Sequence, residues 1–373
     1  MGVIKITMYI RNDHSERIMK RVKELYPDTE VVNGFIFFDA LTAPVRISGL
    51  PWFGTNGNYR RLDDRYFNEY PEGLQMLTDC TSGAQISFKT DSKRVAVRVD
   101  GILNHRTCLP HMADNGAMGI DMYTGSGEDK HFCEVFHAQP GNTERYNGER
   151  NVWPSGKVDV TLNLPLYAGI RKLEIGLDAD SVIEDPEPFT VPKPVLFYGS
   201  SITQGACACR PGMAYVNILG RMFDFEVIDL GFSGCARGEK LIAELIASLD
   251  LAAFVYDYDH NAPSSEELAA THEPFFRIVR DAHPELPVIM VSKADMLYGE
   301  EETLKRRDII KKTYEEARAS GDDKVWFVDG TKIYGKYGAE NCTADGCHPN
   351  DFGFRLMAEA IAPALKEALG VSL

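Results

Sequence analysis

The chain has 373 residues, of which 44% are hydrophobic, and a formal net charge of −15 at pH 7. That length and apolar content suffice for two domains with separate cores. Acidic side chains are spread along the chain rather than gathered in a tail, which argues against nucleic acid or an anionic membrane as a partner.

Taken in order, residues 1–11 lack the apolar core and cleavage site of a signal peptide, and no apolar stretch reaches the length of a membrane span, so a cytoplasmic protein is expected. A helix is predicted over 15–25. Short alternating segments follow at 84–89, 94–99, 158–163 and 172–177, separated by turn-rich stretches, and this period-two pattern points to a β-sandwich. Residues 184–194 then carry four prolines, a density that continues neither a sheet nor a helix. The resulting division is an N-terminal β-sandwich domain with a leading helix (1–186), a linker (187–193) and a second domain (194–373).

Beyond the linker, strands at about 194–199, 225–230, 252–257, 286–291 and 324–329 alternate with helices at about 213–223, 238–249, 265–282, 301–320 and 351–369. This is the pattern of a parallel sheet covered on both faces. Ligands of such a sheet bind at the carboxyl ends of its strands. Four polar loops fall on that edge. Gly199-Ser-Ser-Ile-Thr203 follows the first strand, Gly231-Phe-Ser-Gly234 the second, Asp257-Tyr-Asp-His-Asn261 the third and Asp345-Gly-Cys-His348 the fifth. Together they contain a nucleophile, a base, an acid three residues before that base, and amide donors, which are the parts that acyl transfer needs.

These four blocks, in this order, resemble the SGNH (GDSL-type) hydrolase superfamily over roughly residues 194–370. The resemblance implies a flavodoxin-like, three-layer α/β domain with a five-stranded parallel sheet. It implies Ser201 as nucleophile, His348 as general base and Asp345 as the residue orienting it, with an oxyanion hole built from the backbone N–H groups of Ser201 and Gly234 and the side-chain amide of Asn261. The chain departs from the pattern twice. Ser200 stands where Asp is usual, and Asp259 where Gly is usual. A carboxylate at 259, beside the oxyanion donor, opposes negative charge unless it points away or pairs with Arg237 or Lys293.

In the first half, Gly119-Ile-Asp-Met-Tyr123, with His111-Met112 and Tyr59-Arg-Arg-Leu62 upstream, resembles the jelly-roll-like sandwich domain named for its G-x-D-L-Y motif. On that resemblance the loop of Asp121 and Tyr123 lines part of the pocket; the plainer alternative is a turn carboxylate and a core aromatic. Asp259, from the third block, is a further substrate-binding candidate. Trp52 and Trp153 offer flat faces to a sugar, although buried sandwich aromatics are commoner. His105, His111, His260 and His272 have no spacing that selects a metal, so structural or surface roles are expected.

Eight cysteines are too sparse for a disulfide scaffold. Cys207, Cys209, Cys235 and Cys347 sit in the catalytic-edge loops, either as small apolar filling or as a redox-sensitive pair or soft-metal trap. The expected function is a serine esterase that removes small acyl groups, acetyl foremost, from carbohydrate esters without a cofactor or metal. The expected partner is the small acylated sugar, and a homo-oligomer is possible. The rival readings are a lipid or thioester hydrolase on the same triad and a non-catalytic carbohydrate-binding protein.

Overall fold

In the second half of the chain five short apolar strands, Val191–Gly199, Phe225–Gly231, Ala253–Asp257, Val288–Val291 and Val325–Val328, pair side by side in parallel. The computed structural model describes residues 20–371 apart from 42, 104–108, 139–143, 153–155, 295–296 and 298. Numbered along the chain, the five strands lie in the order 2-1-3-4-5, which is the flavodoxin-like arrangement.

Their side chains alternate between two cores, as the pleat requires. Val195 and Phe197 pack with the helices Tyr215–Phe223 and Asp351–Leu369 on one face. Leu196 and Tyr198 pack with Lys240–Ala247, Ser265–Ala282 and Glu300–Ala319 on the other. Coverage of both faces explains why these strands read as continuous apolar runs. Local chemistry sets the helix ends. The Ser264 side chain accepts from Glu267 N–H and the Asn350 side chain from Gly353 N–H at two N-termini, and Gly370 in the left-handed region closes the last helix.

The first half is antiparallel. A seven-stranded sheet contains Gln85–Thr90, Val158–Asn163 and Ile120–Thr124, and a four-stranded sheet contains Phe35–Asp39, Gly169–Asp178 and Arg94–Leu103. Ile86, Phe88 and Leu162 of one sheet meet Val97, Leu173 and Ile175 of the other in one apolar cluster. That cluster continues into the second half through Leu166, Ile202 and Val195.

A largely helical excursion leaves the sandwich between the strands Arg46–Ser48 and Gln85–Thr90. Its Trp52, Leu62, Tyr70, Leu74 and Leu77 join the other core of the parallel sheet beside Ile228 and Leu230. At its centre Arg61 is fully buried. Its guanidinium donates to the carbonyls of Asp229, Gly231 and Leu77 at 3.0, 2.7 and 3.0 Å and lies over the Phe232 ring. Ser82 adds a hydrogen bond to the Asp229 carboxyl. Gly83, at φ 78°, lets the chain pass so close that a Cβ there would sit 2.5 Å from the Asp229 Cβ.

Two expectations need correcting. Of the helix predicted over 15–25, residues 15–19 lie outside the described residues. Lys20–Arg21 form a strand instead, because they pair with Ile183 and Val182, and only Val22–Leu25 are helical. The first parallel strand also begins earlier than predicted, inside the proline-rich stretch. Val191 pairs with Phe225, the register then breaks, and pairing resumes at Val195. Pro192 and Pro194, which have no N–H to donate, fall within the break.

Candidate active site

The strand Val191–Gly199 ends at a turn with no spare room. A Cβ at Gly199 would lie 2.0 Å from Thr203 Oγ1 and 2.2 Å from the Asp257 carbonyl. Ser200 then caps the short helix Ser201–Gln204, its hydroxyl accepting from Ile202 N–H at 3.1 Å. A neutral serine thus does the capping that the usual Asp would do with a charge. The turn presents Ser201 with its Oγ 2.9 Å from His348 Nε2.

His348 Nδ1 lies 2.7 Å from Asp345 Oδ2, and Asp345 Oδ1 accepts the backbone N–H groups of Cys347 and His348 at 3.0 and 2.7 Å. The acid and the histidine therefore lock one another within a single four-residue turn. Partial burial works against the charge on Asp345, but these hydrogen bonds outweigh it and hold its carboxyl down at about 2. An ionised Asp345 requires Nδ1 of His348 to donate. Nε2 of the neutral ring is then the acceptor that faces the Ser201 hydroxyl.

Two neighbouring loops converge on the same strand ends. Gln204 accepts from Ser233 N–H at 2.9 Å and donates to the Leu166 carbonyl at 3.1 Å, which pins the Gly231–Gly234 turn to both halves of the molecule. Gly234 is held at φ 69°, a conformation that side chains with a Cβ disfavour. The Asn261 amide donates one hydrogen to the Phe232 carbonyl at 2.9 Å and has a second to give.

The structure thus joins Ser201, His348 and Asp345 directly, and it links Asn261 to the turn that carries Gly234. It places the expected pocket residues elsewhere. Asp121, Tyr123 and Asp259 are all sealed from solvent, so none faces a substrate in this conformation. Asp121 accepts from Asn163, Arg210 and Gly212 N–H at 2.7, 3.0 and 2.8 Å, and the Tyr123 hydroxyl meets Arg210. From within the strand Ile120–Thr124 they clamp the loop after Gly205 onto the sandwich, so Asp121 is not the turn carboxylate of the plainer alternative either. Asp259 turns inward, where one oxygen accepts from Lys293 N–H at 2.9 Å and the other has no hydrogen-bond partner among the described residues. Burial pushes its carboxyl up to about 6. Its expected partner Arg237 instead donates to the Gly234 carbonyl.

Trp52 is buried beside the parallel sheet rather than in the sandwich; Trp153, His105 and Cys108 lie outside the described residues. His272 is a core residue, 2.9 Å from Thr313 Oγ1 and stacked on Tyr256. Burial, with Lys293 and His348 nearby, drives the His260 pKa well below its ordinary value. The four edge cysteines divide. Cys347 Sγ lies 3.9 Å from His260 Nδ1, Cys209 N–H donates to Asp351, and Cys235 packs against Gly73. Cys207 lies beside His348 and His111.

Two side chains of the first half reach the centre: His111, which the sequence set beside the G-x-D-L-Y block in a structural or surface role, and Tyr167, which no motif singled out. His111 Nε2 is 2.9 Å from Asp345 Oδ2. The Tyr167 hydroxyl donates to the Ser201 carbonyl at 3.1 Å. Neither is near its partner in the chain, so only tertiary structure reveals them.

A five-stranded parallel sheet behind an antiparallel sandwich, with a serine–histidine–aspartate constellation on the strand ends, defines a two-domain ester hydrolase. Residues 192–366 match the GDSL-like lipase/acylhydrolase family, and residues 35–183 match the GxDLY family, the N-terminus of SGNH-hydrolase-type esterases. The chain belongs to the SGNH (GDSL-type) hydrolases with a GxDLY domain.

Among solved structures it is similar to a protein from Bacteroides ovatus assigned as a GDSL-like lipase, at 26% identity and a TM-score of 0.81, covering 91% of this chain and 99% of that one. The salicylyl-acyltransferase SsfX3 of a tetracycline biosynthetic pathway shares the fold at 20% identity and a TM-score of 0.73, with 91% and 99% covered. So does the acetyl xylan esterase Est2A from the rumen bacterium Butyrivibrio proteoclasticus, at 14% identity and a TM-score of 0.57, with 90% and 99% covered. Among curated proteins none matches the chain. Among the described residues no helix is long and apolar enough to cross a membrane.

Proposed function

We propose that the protein hydrolyses small acyl esters of carbohydrates, acetyl esters foremost, with Ser201 as nucleophile, His348 as base and Asp345 as its orienting acid. The observation that carries this reading is the continuous hydrogen-bond line Ser201 Oγ, His348 Nε2, His348 Nδ1 and Asp345 Oδ2, with links of 2.9 and 2.7 Å. In the first step Ser201 Oγ bonds to the acyl carbon while its proton passes to His348 Nε2. Collapse of the tetrahedral intermediate expels the sugar alkoxide, which takes that proton. Water, deprotonated by the same nitrogen, then attacks the acyl-serine and releases the acid. The backbone N–H groups of Ser201 and Gly234 and the remaining hydrogen of Asn261 Nδ2 are the donors to the oxyanion.

A small acyl group is favoured because the sandwich half reaches the triad through His111 and leaves less room for a long chain. A neutral sugar is favoured because a chain of net charge −15 repels polyanionic esters. Acetyl xylan esterase Est2A and family two carbohydrate esterases have the same fold.

The deciding experiment compares p-nitrophenyl acetate with the octanoate, using wild type and Ser201→Ala, and then tests acetylated xylose and glucose. Acetate turnover that falls by roughly 10⁴-fold or more in the variant is expected. Preference for octanoate would move the reading to a lipid or thioester hydrolase. Sugar binding without turnover would leave a carbohydrate-binding protein.

A further inference from the structure

His111, Cys207 and His348 are far apart in the chain, yet the structure brings a ring nitrogen from each histidine and the cysteine sulfur within 4.8 Å of one another. Nitrogen and sulfur donors in this number are the set that Zn²⁺ prefers. Its tetrahedral sites place such donors roughly 3.3–3.8 Å apart, so side-chain rotations of about an ångström would close this one. Three protein ligands leave a fourth position for water.

Asp345 strengthens the case. Its Oδ2 accepts from His348 Nδ1 at 2.7 Å and lies 2.9 Å from His111 Nε2. One carboxylate therefore holds both rings, the outer-shell arrangement that orients metal-bound imidazoles, and an imidazole held through one nitrogen has a second to offer a metal. Asp345 also supplies negative charge beside the site. Cys207 adopts φ 72°, where Gly, Asn and Asp are the usual residues, and this places its sulfur next to the histidines. His111 is exposed, so an ion has a way in.

We propose that His111, Cys207 and His348 form a Zn²⁺ site superposed on the catalytic centre, through which the metal reversibly switches the enzyme off. On binding, the Cys207 thiol gives its proton to solvent and a zinc–sulfur bond forms. His348 Nε2 gives its lone pair to the ion and can no longer accept the Ser201 proton. The inhibitory consequence rests on His348 as the base of the proposed reaction, whereas the site itself does not.

Two readouts separate these parts. Calorimetric titration of the intact metal-free chain with Zn²⁺ alone should show one ion per chain with micromolar or tighter affinity. Co²⁺ in its place should show a thiolate-to-cobalt charge-transfer band. Ser201→Ala should bind as tightly as wild type, because the serine is not a ligand. Cys207→Ser should abolish the cobalt band. It and His111→Ala should each weaken Zn²⁺ at least as much as loss of an outer-shell partner does, about 10–100-fold. Ester hydrolysis by wild type should fall with zinc occupancy and return with chelator. No binding at millimolar Zn²⁺, or equal binding by both ligand variants, would overturn the site. Binding without loss of hydrolysis would overturn the switch.

Discussion

At the scale of single residues, Asp259 is the side chain whose chemistry the motif least explains. It stands where the superfamily pattern the sequence resembles usually has glycine, one of its oxygens is unpartnered among the described residues, and its carboxyl is pushed up to about 6 by burial. The folded state therefore holds this proton more tightly than the unfolded chain, in which an Asp titrates near 3.9. Its contribution to stability is intact below about pH 4 and is lost as pH rises through about 6, to the extent of about 3 kcal/mol. Asp259→Asn should consequently match wild type in stability at pH 4 and exceed it by about 1–3 kcal/mol at pH 8. Thermal melts of both proteins across that range would show it, and a pH-independent difference would refute the assignment. Asp345 behaves oppositely. With its carboxyl held at about 2, the hydrogen bonds it accepts stabilise the fold above about pH 4, and their contribution is lost only as pH falls through 2. An acid limb in the rate profile near neutrality therefore belongs to another group.

At the scale of elements, Arg61 joins the helical excursion to the strand Phe225–Gly231. It holds the strand end from which the Gly234 turn departs, and it offsets the cost of burying Asp229, whose carboxyl burial pushes up to about 6. Arg61→Ala removes the opposite charge 3.9 Å from that carboxyl and leaves three carbonyls without this donor, and should destabilise the protein by about 3–5 kcal/mol in urea denaturation. A loss below about 1 kcal/mol would mean that water replaces the guanidinium without penalty. The parallel strands and their helices were legible in the sequence because an apolar run covered on both faces is an unambiguous signal: 265–282 was predicted and Ser265–Ala282 is observed. The excursion was not, because its helices are four to six residues long and are stabilised by contacts with the strand Phe225–Gly231, more than 140 residues away.

At the scale of the whole molecule, the two halves share both apolar cores, so they should unfold together. Calorimetry is expected to show one transition with equal calorimetric and van't Hoff enthalpies; two resolved transitions would show the shared cores to be energetically separable. Ser201, Asp345 and His348, which the sequence proposed together, are hydrogen-bonded to one another; each lies in a short block, Ser201 at a strand end and the other two between the helices Ala339–Cys342 and Asp351–Leu369. The contacts of His111 with Asp345 and of Tyr167 with Ser201 could not be read, since both side chains come from the other half and nothing in the sequence links them to these partners. The buried Asp121 and Tyr123 were given to the pocket because a motif shows which residues recur together and not which way they face. The Arg61 clamp has one more consequence. Phe225–Gly231 is the outermost strand on its side of the sheet, and the carbonyls that Arg61 occupies at Asp229 and Gly231 are of the kind through which exposed edges recruit strands from other chains. The Arg61 guanidinium, with the backbone at Gly49 and Gly83 packed closely against Val227 and Asp229 of the same strand, stands where a sixth strand would pair and closes this border to edge-to-edge polymerisation.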